Sequence, residues 1–204
     1  MTAVIDYGIG NTYSVVMATA RFGEEVLLTN RLEELRAADR IILPGVGGFS
    51  QGMDNLKRLG LDRLLRETVA AGKPLLGICL GLQMLFEWSE EGESAGLGIL
   101  KGQVVRFRQP GLLVPHMGWN QVTFQPQAGC YRQAVAQNAF FYFAHSYYVV
   151  PEEKEIVAGL TEYGCPFASF IRWRNVAGVQ FHPEKSGSHG LAFLGTFLQQ
   201  GKEG

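Results

Sequence analysis

The stretch LLGICLGLQMLFEW, residues 75–88, decides the fold. It opens on a short apolar run, Leu75 to Ile78, introduced by Lys73-Pro74. The spacing predicts a buried strand there, followed at once by a helix from Leu80 to Trp88. Between them stands Gly77-Ile78-Cys79-Leu80-Gly81, with a glycine two residues to either side of the cysteine. That is the setting of a nucleophile elbow, where a sharp strand-to-helix turn packs closely against its neighbours. A lone cysteine in an apolar run is ordinarily a core residue. The flanking glycines and the strand-to-helix position reverse that reading for Cys79. A helix N-terminus there favours thiolate over thiol, and the Leu80 N–H would point toward a substrate carbonyl oxygen.

Upstream, strands are predicted over Thr2 to Tyr7, Glu25 to Thr29 and Arg40 to Leu43. Helices are predicted over Thr12 to Phe22, Leu32 to Ala37 and Met53 to Ala71, the last broken at Gly60. This β-α alternation argues for a parallel sheet covered on both faces. Downstream, apolar or alternating runs separated by turn residues predict strands, several of them antiparallel. They are Gln103 to Phe107, Gln121 to Phe124, Phe140 to Phe143, Ile156 to Leu160, Phe167 to Trp173 and Val176 to Phe181. A closing helix is expected over Gly190 to Gln200. With no repeat, low-complexity stretch or linker, residues 1–204 read as one domain. The expected fold is α/β: an open, mostly parallel twisted sheet with helices on both faces, and an antiparallel, β-rich second half.

A cysteine nucleophile needs a base. Gly178-Val179-Gln180-Phe181-His182-Pro183-Glu184 supplies one at the end of an apolar strand, the usual place for a site in an open α/β sheet. Pro183 pushes His182 toward an extended backbone, where residues two apart point the same way. Glu184 can then orient the His182 ring. Taken alone His-Pro-Glu would read as a surface turn; it gains meaning as the complement of the elbow. Pro44-Gly45-Val46-Gly47 ends the third strand, and glycines there let the backbone approach a ligand and present N–H groups. Val46, Gly47 and Leu80 are the candidate oxyanion donors. Gly8-Ile9-Gly10 follows a strand, but the third glycine of a dinucleotide fingerprint would fall at Tyr13, so that cofactor is rejected. In Phe140 to Tyr148 most rings read as core, while His145 and Ser146 break the run and reach for an edge or pocket. His116 and His189 read as structural or exposed.

The chain has 204 residues, 47% hydrophobic and 18% charged, with a formal net charge of −1. That suits a globular domain and leaves no electrostatic footprint for nucleic acid or an anionic membrane. Cys79, Cys130 and Cys165 are scattered and odd in number, so neither a disulfide framework nor a zinc site is expected. Met1 to Tyr7 lacks the basic segment of a signal peptide, and no apolar run reaches about 18 residues. The expected location is the cytoplasm, with no cofactor and no metal.

These motifs resemble the class I, triad-type glutamine amidotransferases over almost the whole chain. GICLGLQ (Gly77 to Gln83) is similar to the family's nucleophile segment, and GVQFHPE (Gly178 to Glu184) to its His/Glu segment. Four further segments resemble the glutaminase subunits of imidazole glycerol phosphate synthases: Asp6 to Asn11, Pro44 to Gly47, His116 to Asn120 and Tyr142 to Tyr147. Gly-Leu-Gln after the cysteine and Lys185 after His-Pro-Glu argue against an anthranilate synthase glutaminase. Pro-Gly-Val-Gly argues against the pyridoxal phosphate synthase type. A stand-alone γ-glutamyl hydrolase is a further alternative.

The resemblance implies a catalytic triad of Cys79, His182 and Glu184. It implies glutamine-binding positions at Gly45, Gln83, His145, Ser146 and Tyr147. It also implies a separate (β/α)8-barrel cyclase subunit that takes the ammonia, with Asn11, Met117, Trp119, Tyr142 and Lys185 facing or gating it.

Overall fold

The computed structural model describes residues 1–200. Thirteen strands run in chain order: β1 Thr2–Ile5, β2 Val26–Thr29, β3 Arg40–Leu43, β4 Leu75–Ile78, β5 Phe86–Ser89, β6 Ser94–Ala95, β7 Leu100–Arg106, β8 His116–Phe124, β9 Ala139–His145, β10 Tyr147–Pro151, β11 Val157–Glu162, β12 Pro166–Trp173 and β13 Val176–Val179. The helices are α1 Thr12–Ala20, α2 Leu32–Ala37, α3 Phe49–Arg58, α4 Leu61–Ala70, α5 Leu80–Met84, α6 Cys130–Ala134 and α7 Gly187–Gln199. Among the described residues no helix is long and apolar enough to cross a membrane.

The main sheet path is β2-β1-β3-β4-β13-β12-β10-β7-β5-β6. Its first five strands are mutually parallel. From β12 the neighbours turn antiparallel, apart from the parallel β5–β7 pair, and β11, β8 and β9 branch off β12. Because side chains alternate along a strand, each parallel strand feeds two cores. Ala3 and Ile5 join Ile41, Leu43 and Leu75 on one face, where Leu35, Met53, Leu56, Leu61, Leu64 and Leu65 of α2 to α4 cover them. Val4, Ile42, Leu76 and Ile78 face the other core, under Val15 and Ala18 of α1 and Phe193, Leu194 and Phe197 of α7.

Several expectations need correction. The helix expected over Leu80 to Trp88 stops at Met84; Phe86–Ser89 is a strand paired with β7. The apolar run suited either state, and tertiary pairing chose. The helix expected from Met53 begins four residues earlier, at Phe49, and Gly60 in the left-handed region (φ 69) divides α3 from α4. The closing helix likewise begins at Gly187 rather than Gly190. Tyr147–Pro151 forms a strand that the aromatic run concealed.

The topology brings three strand ends together. Leu43 pairs with Gly77, and Gly77 with Gly178. The loop after β3, the elbow after β4 and the segment after β13 therefore leave the sheet side by side.

Candidate active site

Cys79 sits between β4 and α5 with φ 54 and ψ −107, a backbone that side chains rarely adopt. Its N–H donates to Val179 O at 2.7 Å, which ties the turn to the neighbouring strand. The glycines around it are sterically required. A Cβ at Gly81 would lie 1.9 Å from Leu43 O, and one at Gly77 would lie 2.8 Å from Leu82 N. One at Gly45 would fall 2.5 Å from Tyr7 Oη and 2.8 Å from Leu80 Cβ, so the loop after β3 lies directly on the elbow. Tyr7 holds that loop by donating to Pro44 O at 2.7 Å. Burial, and then the adjacent Cys79, push the Tyr7 phenol pKa up, so Tyr7 stays neutral. Since α5 has only five residues, the field at Cys79 comes from the first-turn N–H groups, not a long helix dipole.

His182 follows β13 with an extended backbone (φ −100, ψ 95). Its N–H donates to Tyr142 O at 2.8 Å, and its carbonyl accepts from Ser186 Oγ at 2.6 Å. Its Nδ1 meets Glu184 Oε1 at 2.8 Å, both side chains being buried. Burial by itself would drive the proton off His182. Charge and hydrogen bonding with Cys79, and then with Glu184, outweigh it and push the pKa up to about 10. The protonated imidazole thus lies between the Cys79 sulfur and a carboxylate whose Oε2 has no hydrogen-bond partner among the described residues.

A cleft of about 320 Å³ opens on the elbow. Val46, Gly47, Leu80, Gln83, His145, Ser146 and Tyr147 all line it with Cys79. Gly47 has φ 97, a conformation suited to glycine. Glu91, unremarked in the sequence, is the one carboxylate in the lining, and its Oε2 accepts from Phe49 N at 3.1 Å. Only its return to the elbow in three dimensions reveals it.

His145 lines the cleft, yet both ring nitrogens are engaged. Nδ1 donates to Tyr147 O at 2.8 Å, so Nε2 accepts from His116 Nδ1 at 3.0 Å. His116 Nε2 in turn accepts from Asn120 at 3.3 Å. Burial pulls His116 to about 4 and His145 to about 3, keeping both neutral. His116 also stacks on Tyr163, at 3.9 Å between centroids.

On β8, Met117 lines the cleft and Trp119 lies beyond it, and they are 64% and 56% exposed. Trp119 pairs with Tyr142, ring edge to face at 6.2 Å, and Lys185 Nζ lies 5.7 Å from the Tyr142 ring. These three side chains form one stripe next to His182. Asn11 instead caps α1, its Oδ1 accepting from Ser14 N at 3.4 Å. Its loop reaches the site at Gly10, whose added Cβ would lie 3.6 Å from Gly45 Cα. Cys130 is exposed, and Cys165 Sγ lies 4.0 Å from Tyr148 Oη; both are free thiols that do not line the cleft.

Residues 3–200 match the family described as glutamine amidotransferase class-I. An imidazole glycerol phosphate synthase subunit HisH of Moorella thermoacetica is 52% identical over 96% of this chain and 92% of its own. The subunit of the same name from Bacillus subtilis is 44% identical over 100% of this chain and 98% of its own. A crystal structure of a glutamine amidotransferase superimposes with TM-score 0.77 at 18% identity, covering 98% of both chains. PurLQS from Thermotoga maritima gives 0.75 at 20% identity, covering 97% of both. These two likenesses bear on the fold alone.

Proposed function

The chain belongs to the class-I glutamine amidotransferase family, and on that footing we propose that Cys79, His182 and Glu184 hydrolyse glutamine for an imidazole glycerol phosphate synthase. The chain is the glutaminase subunit of that enzyme and serves histidine biosynthesis. One observation carries the residue assignment. A cysteine in a strained elbow lies within reach of a buried histidine that is itself held by a carboxylate at 2.8 Å.

Glutamine enters the cleft with its side-chain amide over Cys79. The thiolate attacks the amide carbon, and the C=O electrons move onto oxygen. N–H groups of Leu80 and of Val46 or Gly47 receive that oxyanion; Leu80, first in α5, has no intrahelical acceptor to lose. His182 gives its proton to the departing nitrogen, which leaves as ammonia, and a γ-glutamyl thioester remains. Neutral His182 then takes a proton from water. The hydroxide attacks the thioester, glutamate leaves, and the thiolate–imidazolium pair is restored. Glu91 suits the α-ammonium group of glutamine, being the carboxylate of the cleft. Gln83, with both N–H groups used inside the protein, has Oε1 to offer the ligand. Gly45, Ser146 and Tyr147 supply the backbone around it. His145, both nitrogens spent, supports Tyr147 from behind.

The ammonia passes to a (β/α)8-barrel cyclase docked over Met117, Trp119, Tyr142 and Lys185, with Asn11 at the edge. The exposure of that apolar stripe beside His182 supports this placement. Assaying the complex with glutamine and then with an ammonium salt tests the reading. Cys79→Ala abolishes the first reaction and spares the second; normal glutamine turnover in that variant would overturn the nucleophile.

A further inference from the structure

We propose that Gln180 is a positioning residue for the reaction: its side-chain amide donates to the Cys79 sulfur, in an orientation dictated by the Tyr147 carbonyl through Gln83. The proposal deepens the reading of Cys79 as nucleophile and rests on it.

Gln180 is completely buried, and Gln83 is 4% exposed. The two amides form a chain with a fixed direction. A backbone carbonyl can only accept, so Gln83 must turn its Nε2 to Tyr147 O, at 3.0 Å. The second hydrogen on the same nitrogen faces Gln180 at 3.1 Å, so Gln180 must present Oε1 there. Its Nε2 is thereby left toward Cys79 Sγ, at 3.6 Å. Rotating the Gln180 amide by half a turn would set two N–H donors against each other and an oxygen against the sulfur. The anchor is doubly held, because Tyr147 O also receives His145 Nδ1–H at 2.8 Å.

Among the described residues the sulfur is the only hydrogen-bond partner of Gln180 Nε2. A buried amide donor costs stability unless it is paired, so a site with no use for it would be better filled by an apolar side chain. An N–H directed at sulfur favours the charged thiolate over the thiol. It also limits the rotation of the sulfur about the strained Cys79 backbone. Gln180 N donates to Ser169 O at 2.9 Å, so the side chain is mounted on an extension of the sheet. The segment that carries His182 thus also carries a second group acting on the same sulfur.

The test is Gln180→Met, which keeps length and volume and removes the donor. Cys79 alkylation by iodoacetamide is followed against pH in the full chain, with peptide mapping to separate Cys79 from Cys130 and Cys165. The midpoint is expected to move up by about one pH unit, the scale of one hydrogen bond to a charged group. In the complex, kcat for glutamine falls about tenfold while KM stays within about twofold, since the bond acts on the nucleophile and not on the bound substrate. A purely structural role would lower the melting temperature and leave the alkylation midpoint in place, and that result overturns the proposal. Gln83→Met, which releases the orientation of Gln180, should move the midpoint in the same direction by a smaller amount. It carries the test if Gln180→Met does not fold, and an unmoved midpoint there sinks the idea equally. Retained turnover in Cys79→Ala would instead remove the nucleophile itself, so the two failures are separate.

Discussion

The charge state of His182 depends on its two neighbours, Cys79 and Glu184. The histidine is too buried to stay charged without the sulfur beside it, and Glu184 adds a second reason to keep the proton. With its pKa up to about 10, His182 keeps through neutral pH the proton that the proposed reaction gives to departing ammonia. Glutamine turnover by the complex should therefore hold from neutral to mildly alkaline pH and decline as pH rises through about 10, as a steady-state profile would record. The sign for stability is the same. A pKa raised above its ordinary 6.5 contributes stability that is whole below 6.5 and lost as pH rises through about 10. Glu184→Gln keeps the shape and removes the charge. It should cut kcat by about 10² to 10⁴, with the alkaline limb moved to lower pH; an unchanged limb would show that the carboxylate does not hold the imidazolium.

Between elements, contacts at backbone distance place the site. Gly81 lets α5 touch β3, and Gly190 lets α7 touch the turn that carries Glu184, where a Cβ would lie 1.9 Å from Pro183 O. Gly81→Ala should cost about 3 kcal/mol or more, read as a fall in thermal midpoint or in soluble yield. Gly190→Ala should lower kcat as well as stability, because the displaced turn holds the residue that orients His182. The pairing of β8 with β9 carries a different dependence. His116 and His145 are held neutral well below 6.5, so their contribution is whole above 6.5 and drains away as pH falls toward about 4 and then 3. Denaturant unfolding at pH 7 and pH 5 should show this loss, and His116→Gln should reduce the difference between the two.

At the scale of the whole molecule, the antiparallel half of the sheet carries its aromatic stripe to the rim of the site. Trp119 contacts Tyr142, and Tyr142 O accepts from His182 N. A partner seated on that stripe would press on the segment that holds the base. Trp119→Ala should weaken binding of the cyclase subunit by about 2 kcal/mol, roughly thirtyfold in Kd, as titration calorimetry would measure. The isolated subunit should keep its thermal midpoint, since Trp119 is 56% exposed. A large loss of fold with no loss of affinity would move the interface elsewhere.

The sequence by itself determined the elements whose local signals agree. β3, β4 and α2 have the bounds that their apolar spacing predicts, and the two glycines around Cys79 announced a turn that only small residues can make. The spacing of His182 and Glu184 predicted two side chains on one side of an extended chain; only His182 is extended, and a 3-10 turn over Pro183–Lys185 is what brings Glu184 to its ring. Tertiary structure alone decided the rest, because it depends on which strands become neighbours. Phe86–Ser89 is equally apolar as helix or strand and became β5 through its pairing with β7. Glu91 enters the cleft through an irregular segment without periodicity. Gln180 reads as an interruption in an apolar strand until Gln83 and Tyr147, far away along the chain, fix the direction of its amide. Hydrogen-bond direction is a property of packed neighbours, so which group faces the Cys79 sulfur is set only once the sheet has closed around it.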